Sequence, residues 1–128
     1  MVELAVCAPI VALLALGAAA AVQVADARAG LDAATQAASA AAARAPDPST
    51  AQAAARARFD GVVAAYPLTG CVLRIDLGSF GRTGVARATS RTTVDVAWAS
   101  LLPLQTRLVL EATSVTPLEP YRTRAPRP

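Results

Sequence analysis

Residues 4–22, LAVCAPIVALLALGAAAAV, form a run of 19 consecutive residues without a charge, and this run determines the architecture of the chain. At a rise of about 1.5 Å per residue, an α-helix of this length nearly spans a hydrocarbon core about 30 Å thick. Pro9 and Gly17 interrupt the run, and lipid-embedded helices tolerate both residue types better than soluble helices do. We therefore predict a transmembrane helix over residues 1–23, kinked at Pro9 and Gly17.

Good helix formers continue beyond this run as QVADARAGLDAATQAASAAAARA, residues 23–45. Apolar and mostly small residues recur there at steps of three and four: Val24, Ala27, Leu31, Ala34, Ala38 and Ala41. The opposite side carries Asp26, Asp32, Gln36 and Ser39, as is typical of a face in water. Residues 24–45 should extend the same helix outside the membrane, where a second element can approach the small side chains closely.

A second, shorter helix is predicted after this long one. Pro46 and Pro48 end the first helix, because neither residue can continue its hydrogen-bond ladder. Ser49 and Gln52 have the spacing of a capping box, which predicts a helix from about Thr50 to Ala65. Its apolar face should comprise Ala51, Ala55, Phe59, Val62 and Tyr66.

Three strand-like segments follow, because the period of the apolar residues changes from 3.6 to 2 after Leu68. They are CVLRIDLG (71–78), VARATSRTTVDVAWA (85–99) and TRLVLEATSV (106–115), separated by the turn GSFGRTG (78–84) and the loop SLLPLQ (100–105). This order predicts an antiparallel meander packed on the helices. The predicted fold class is α+β, with residues 46–118 forming a small helix-plus-sheet domain.

The composition excludes several kinds of chemistry. The chain has no histidine among its 128 residues, which removes the commonest general base and metal ligand. The glycine-rich turn 78–84 lacks the Lys-Ser/Thr end of a phosphate-binding loop. We expect no enzymatic activity, no cofactor and no metal.

The charge pattern also bounds the partners. The net charge is +3, and arginines scattered among nine acids do not predict nucleic-acid binding. The cluster Arg122, Arg124 and Arg127 predicts a solvated, disordered basic tail over residues 119–128.

One acid, Glu3, stands at the front of the apolar run, and no basic residue lies before Arg28. Inserted and exported segments usually begin with Lys or Arg, so this carboxylate needs an explanation. It could reach water at the membrane edge. It could instead pair with an opposite charge on another subunit, because a carboxylate moved into lipid is costly unless a partner lies close.

Several segments of the sequence resemble the TadE-like proteins, which are pilin-like components of the tight-adherence (Flp-type) pilus system. The similar segments are Val2-Glu3-Leu4-Ala5, then Pro9 and Gly17, AAAAR (40–44), TTVDVAW (92–98) and LVLEATSVTPLEPYR (108–122). They lie at both ends of the chain, and the middle is similar only in general character.

The resemblance implies a pilin-like fold with a cytoplasmic N-terminus and a C-terminal domain outside the cytoplasmic membrane. It also implies a prepilin peptidase that removes a short basic leader ahead of the apolar helix. Glu3 matches the acid that, in pilins, is thought to neutralise the terminal amine of a neighbouring subunit. The implied partners are other pilins, pilus-assembly membrane proteins and the lipid bilayer.

Two other functions fit the residues. The apolar run could be a signal peptide cut near ADARA (25–29), where Ala25 and Ala27 have small-x-small spacing, leaving an exported small soluble binding module. Its 19 apolar residues exceed the usual length of about 7 to 15 in such peptides. The chain could also be a single-pass subunit of another secretion complex.

Overall fold

The computed structural model of the chain describes residues 1–66, 68–78, 84–96 and 107–118. In chain order these residues form helices α1 (Val2–Arg44) and α2 (Pro48–Val63), then strands β1 (Val72–Asp76), β2 (Val85–Asp95) and β3 (Arg107–Pro117). The α+β prediction is therefore confirmed. Most of the predicted turn, the predicted loop 100–105 and the predicted tail 119–128 lie outside the described residues.

Helix α1 runs without interruption for 43 residues, which corresponds to a length of about 65 Å. We call its first half, residues 2–22, the bare half, because no residue in its most apolar 18-residue window is buried. Large apolar side chains such as Ile10, Leu13 and Leu14 point away from the rest of the chain. Within the described ranges, α1 is the one helix long and apolar enough to cross a membrane.

The second half of α1 lies between α2 and the sheet, so it is packed from two sides. The predicted stripe is confirmed at Ala27, Leu31, Ala34 and Ala38, which are all buried. Further buried positions on this half are Gly30, Thr35, Ser39, Ala42 and Ala43. The buried surface is wider than the predicted stripe because two layers, rather than one, contact the helix.

Helix α2 begins two residues earlier than predicted, and the predicted capping box is wrong. Asp47 is the N-cap residue: its Oδ1 accepts a hydrogen bond from the backbone N–H of Thr50 at 2.8 Å. Pro48 occupies the first helical turn, where its fixed φ suits the helix and its missing N–H is not needed. The cap therefore lies directly before the proline, and Ser49 is already inside the helix.

The Asp47 carboxylate collects three local hydrogen bonds in this cap. The Ser49 hydroxyl donates to its Oδ1 at 2.6 Å, and the Thr50 hydroxyl donates to its Oδ2 at 2.8 Å, in addition to the Thr50 N–H. Together these donors, the Ser49 hydroxyl first, lower the pKa of Asp47 from 3.8 to about 2. The ionised carboxylate is the form that holds the first turn of α2.

The apolar face of α2 packs against α1 as predicted, with Ala51, Ala55 and Phe59 buried and Val62 half-buried. Because α2 ends at Val63, Tyr66 lies in the turn beyond it rather than on the helix. The Tyr66 ring covers Gly30 of α1: a Cβ built on Gly30 would lie 2.6 Å from Tyr66 Cγ. This approach requires glycine at position 30.

The sheet is the predicted antiparallel meander, with strand order β1-β2-β3. Leu73 and Ile75 of β1 face the helices, as do Ala86, Ala88, Ser90 and Thr92 of β2, and Leu110 and Ala112 of β3. Most of these inward side chains are small. The backbones of α1 and the sheet therefore lie close together, and the small side chains between them fill the core.

Candidate membrane and subunit interface

Glu3 lies in the first turn of α1 and is exposed. Within the part of the chain that the structure describes, its carboxylate makes no hydrogen bond and no ion pair. Its location is electrostatically favourable, since the first turn of a helix carries unsatisfied N–H groups and the positive end of the helix dipole. The fold of the single chain thus presents this acid at one end of a bare apolar helix.

Pro9 and Gly17, the two positions predicted to kink the transmembrane helix, both lie inside the uninterrupted α1. They follow Glu3 at axial distances of about 9 Å and 21 Å, so the fold brings no two of these three residues together. A Cβ built on Gly17 meets no atom within 4 Å, which means that no contact within the described chain requires glycine there. The kink remains a prediction.

The structure reveals a cluster of hydroxyl groups between α1 and the sheet that the sequence reasoning missed. We call it the hydroxyl seam, comprising Thr35, Ser39, Ser90, Ser114 and Thr116. The prediction that Ser39 lies on a face in water is wrong, because Ser39 is fully buried. Its Oγ lies 2.9 Å from Ser114 Oγ and 2.8 Å from Thr116 Oγ1.

Every hydroxyl of the seam has a partner. Thr35 donates to the Leu31 carbonyl at 2.6 Å, so it accepts from Ser90, to whose hydroxyl it is also bonded. Ser39 donates to the Gln36 carbonyl at 3.0 Å and accepts from the two β3 hydroxyls. A buried polar group is tolerated when its hydrogen bonds are complete, and such bonds fix how the helix sits along the strands.

A signal for this seam is present in the sequence. The inward positions from Ala86 to Thr92 of β2 read Ala, Ala, Ser, Thr, and those from Leu110 to Thr116 of β3 read Leu, Ala, Ser, Thr, so apolar residues are followed by hydroxyls on both strands. Thr35 and Ser39 are four residues apart on α1 and therefore share one side of it. Matching these two patterns would have placed Ser39 at the sheet.

The seam contains no titratable group, and among the described residues no group of three or more His, Cys, Asp or Glu side chains is placed to hold a metal ion. Both cysteines are free: Cys7 is exposed on the bare half of α1, and Cys71 is half-buried with its Sγ 3.4 Å from Thr92 Oγ1. The candidate interaction surface is the bare half of α1, which carries Glu3 in its first turn.

No protein-family model, no curated protein and no solved structure matches this chain. The fold defines a small α+β protein. Its first helix is exposed and apolar over the first half and is packed in the core over the second half.

Proposed function

We propose that this chain is a TadE-like minor pilin or pseudopilin, a membrane-anchored structural subunit in the assembly of tight-adherence (type IVb, Flp-type) pili. The observation that carries the proposal is the continuity of α1. One helix carries Glu3 in its first turn, runs through an uncharged apolar half in which no residue is buried, and then becomes the central element of a small domain.

The exposed apolar half supports insertion in a lipid bilayer. Side chains such as Ile10, Val11 and Leu14 are 53%, 62% and 69% exposed, and each would otherwise order water around it. Burial of apolar surface contributes roughly 25 cal/mol per Å², so hydrocarbon is the favoured surrounding for this segment. The N-terminus then lies in the cytoplasm and the domain outside the membrane, as in pilins.

Glu3 then acts between subunits. When α1 packs beside the helix of another pilin, the carboxylate leaves the water at the membrane edge. A charge in such surroundings is retained at tolerable cost when a group of opposite sign lies close and hydrogen-bonded. The terminal amine of the neighbouring subunit supplies that group, and the pair sets the axial register of the two helices.

Retention of the apolar half is favoured over its removal as a signal peptide. The small-x-small site near Ala25 and Ala27 lies inside α1, and Ala27 is only 4% exposed within the core. A cut there would remove Ala27 from the core, and the packed half of the helix would then begin at Arg28. An uncut helix keeps both the anchor and the core.

The N-terminal sequence and intact mass of the native protein from host membranes test the proposal. We expect a start one or a few residues before Glu3, with a short basic leader encoded upstream. A mature chain that starts near Arg28 would overturn the pilin assignment and favour an exported soluble module. An unprocessed Met1 would contradict prepilin-type processing and leave a plain membrane anchor.

The Glu3→Ala variant tests the pairing role separately. It should insert in the membrane as the native chain does but fail to support pilus assembly. Asp32→Asn, which removes an exposed acid from the domain half of α1, is the matched control and should assemble normally. Normal piliation of Glu3→Ala would contradict the role assigned to this carboxylate.

A further inference from the structure

A cavity of about 140 Å³ opens where α1 leaves its apolar run and meets one end of the sheet. Three separate segments line it: Gln23 and Ala27 from α1, Leu68 and Thr69 from the connection after α2, and Thr93 and Asp95 from the end of β2. Thr92 holds the last two segments together, since its hydroxyl donates to the Thr69 carbonyl at 3.0 Å.

The length of the apolar half determines where the cavity lies relative to a bilayer that α1 spans. The rise from Val2 to Val22 is about 30 Å, the thickness of a hydrocarbon core. The next residues, Gln23 to Ala27, rise a further 6 Å or so, and the headgroup layer of one leaflet is about 5–7 Å thick. If α1 spans the bilayer as proposed above, the cavity lies among the phospholipid headgroups.

The lining suits an alkylammonium group. Asp95 contributes a carboxylate, Gln23 an amide oxygen, and Thr69 and Thr93 hydroxyl oxygens, all of which accept hydrogen bonds. A primary ammonium carries three N–H donors and no acceptor, so it can bond several of these oxygens at once. Ala27 and Leu68 add an apolar wall for the attached methylene groups.

A cation for an adjoining phosphate lies next to the carboxylate. Arg107 Nε is 3.5 Å from Asp95 Oδ1, and both side chains are 78% exposed. An exposed pair of this kind stabilises the fold little, which leaves both groups available to a ligand. A guanidinium binds phosphate oxygens through two parallel N–H groups.

We infer that this cavity binds the ethanolamine headgroup of a bilayer phospholipid, with the ammonium at Asp95 and Gln23 and the phosphate at Arg107. The inference rests on the proposed membrane-spanning role of α1. The other charges next to the cavity on α1 are Asp26 and Arg28, which are exposed, flank Ala27 and are opposite in sign. A choline headgroup is disfavoured, because its quaternary nitrogen is bulkier and has no N–H to donate.

The test uses the full chain reconstituted in nanodiscs that contain phosphatidylethanolamine and phosphatidylcholine in equal amounts, with native mass spectrometry of the lipid retained. We expect retention of phosphatidylethanolamine over phosphatidylcholine by roughly tenfold, the ratio that one charge-assisted hydrogen bond provides. Asp95→Asn should bring this ratio close to one, and Asp32→Asn should leave it unchanged. Arg107→Gln should lower retention of both lipids alike, because both carry the phosphate.

Equal retention of the two lipids by the native chain would overturn the inference, and so would an unchanged ratio in Asp95→Asn. Soluble phosphoethanolamine, offered to the detergent-solubilised chain, should bind far more weakly than the lipid. Equally tight binding would assign the cavity to a soluble amine and overturn the lipid assignment. Failure of the chain to insert in any bilayer would contradict the membrane-spanning proposal itself, which separates the two failures.

Discussion

The two halves of α1 share a high alanine content but are opposite in burial. Both are rich in alanine, and both belong to one unbroken helix. In the second half, α2 and the sheet bury Ala27, Ala34, Ala38, Ala42 and Ala43, whereas none of the most apolar window of the first half is buried. Alanine content alone therefore does not determine what surrounds a helix. The first half has large apolar side chains and no charge from Leu4 to Val22, whereas the second half has charged residues between its alanines.

The largest effect in this comparison is expected from a charge placed in the middle of the bare half. Leu13→Arg should oppose insertion by about 2.5–3.5 kcal/mol, the cost of arginine at the centre of a transmembrane helix. Gln36→Arg, at an exposed position on the domain half, should have no effect. The fraction of chain that stays in the membrane after alkaline extraction measures both variants. Equal retention of the two would mean that the bare half does not lie in lipid.

The next effect comes from enlarging an alanine on each half. Ala38 is fully buried against two layers, so Ala38→Leu should lower the free energy of unfolding by about 1–3 kcal/mol through overpacking. Ala12 is exposed on the bare half, and Ala12→Leu should leave the unfolding of the domain unchanged. Denaturant unfolding of the domain in detergent distinguishes the two. A stable Ala38→Leu variant would contradict the close packing of helix and sheet.

Two glycine substitutions sharpen the comparison further. Gly30→Ala should destabilise the domain, because the new Cβ would lie 2.6 Å from Tyr66 Cγ and the helix gains only about 1 kcal/mol from alanine. Gly61→Ala in α2 meets no atom within 4 Å, so it should raise stability by about 0.5–1 kcal/mol. Thermal unfolding of both variants should therefore shift in opposite directions. A shift in the same direction would show that Tyr66 does not cover Gly30.

The smallest effect is the pH dependence of the α2 cap. The pKa of Asp47 is depressed to about 2 from 3.8, so the cap is complete above pH 4 and is lost as the pH falls towards 2. We expect the amides of the first turn of α2 to lose protection against hydrogen exchange over that interval, relative to the intrinsic rate at each pH, while the core of α1 stays protected. Asp47→Asn should remove this pH dependence. First-turn amides whose protection is constant from pH 5 to pH 2 would contradict the capping role.

The coarse fold was predictable because it depends on periodicity. The 19 uncharged residues, the three- and four-residue spacing from Val24 to Ala41 and the change to a period of 2 after Leu68 are all local patterns. The strand order followed from short connections between them. Glu3 could be identified as a candidate site residue from the sequence, because an acid directly before an uncharged apolar run is a local pattern.

The misplaced details depend on contacts between segments far apart in the chain. The helical pattern placed Ser39 on the face in water, because it contains no information on the contacts of Ser39 with the hydroxyls of Ser114 and Thr116. The α2 cap was misplaced because Ser49 fits a capping box as well as Asp47 fits a cap before proline. The cavity at Asp95 joins segments of α1, the α2–β1 connection and β2, and no local pattern brings these together.

The most direct measurement of the central claim is the reactivity of the native thiol Cys7, with Cys71→Ser removing the second cysteine. Cys7 is exposed on the bare half of α1, so no part of the described chain shields it from a water-soluble maleimide, whereas insertion in a bilayer does. We predict no labelling in intact native membranes and full labelling after denaturation in detergent. Rapid labelling of Cys7 in intact membranes would contradict the account, because the bare half of α1 would then lie in water.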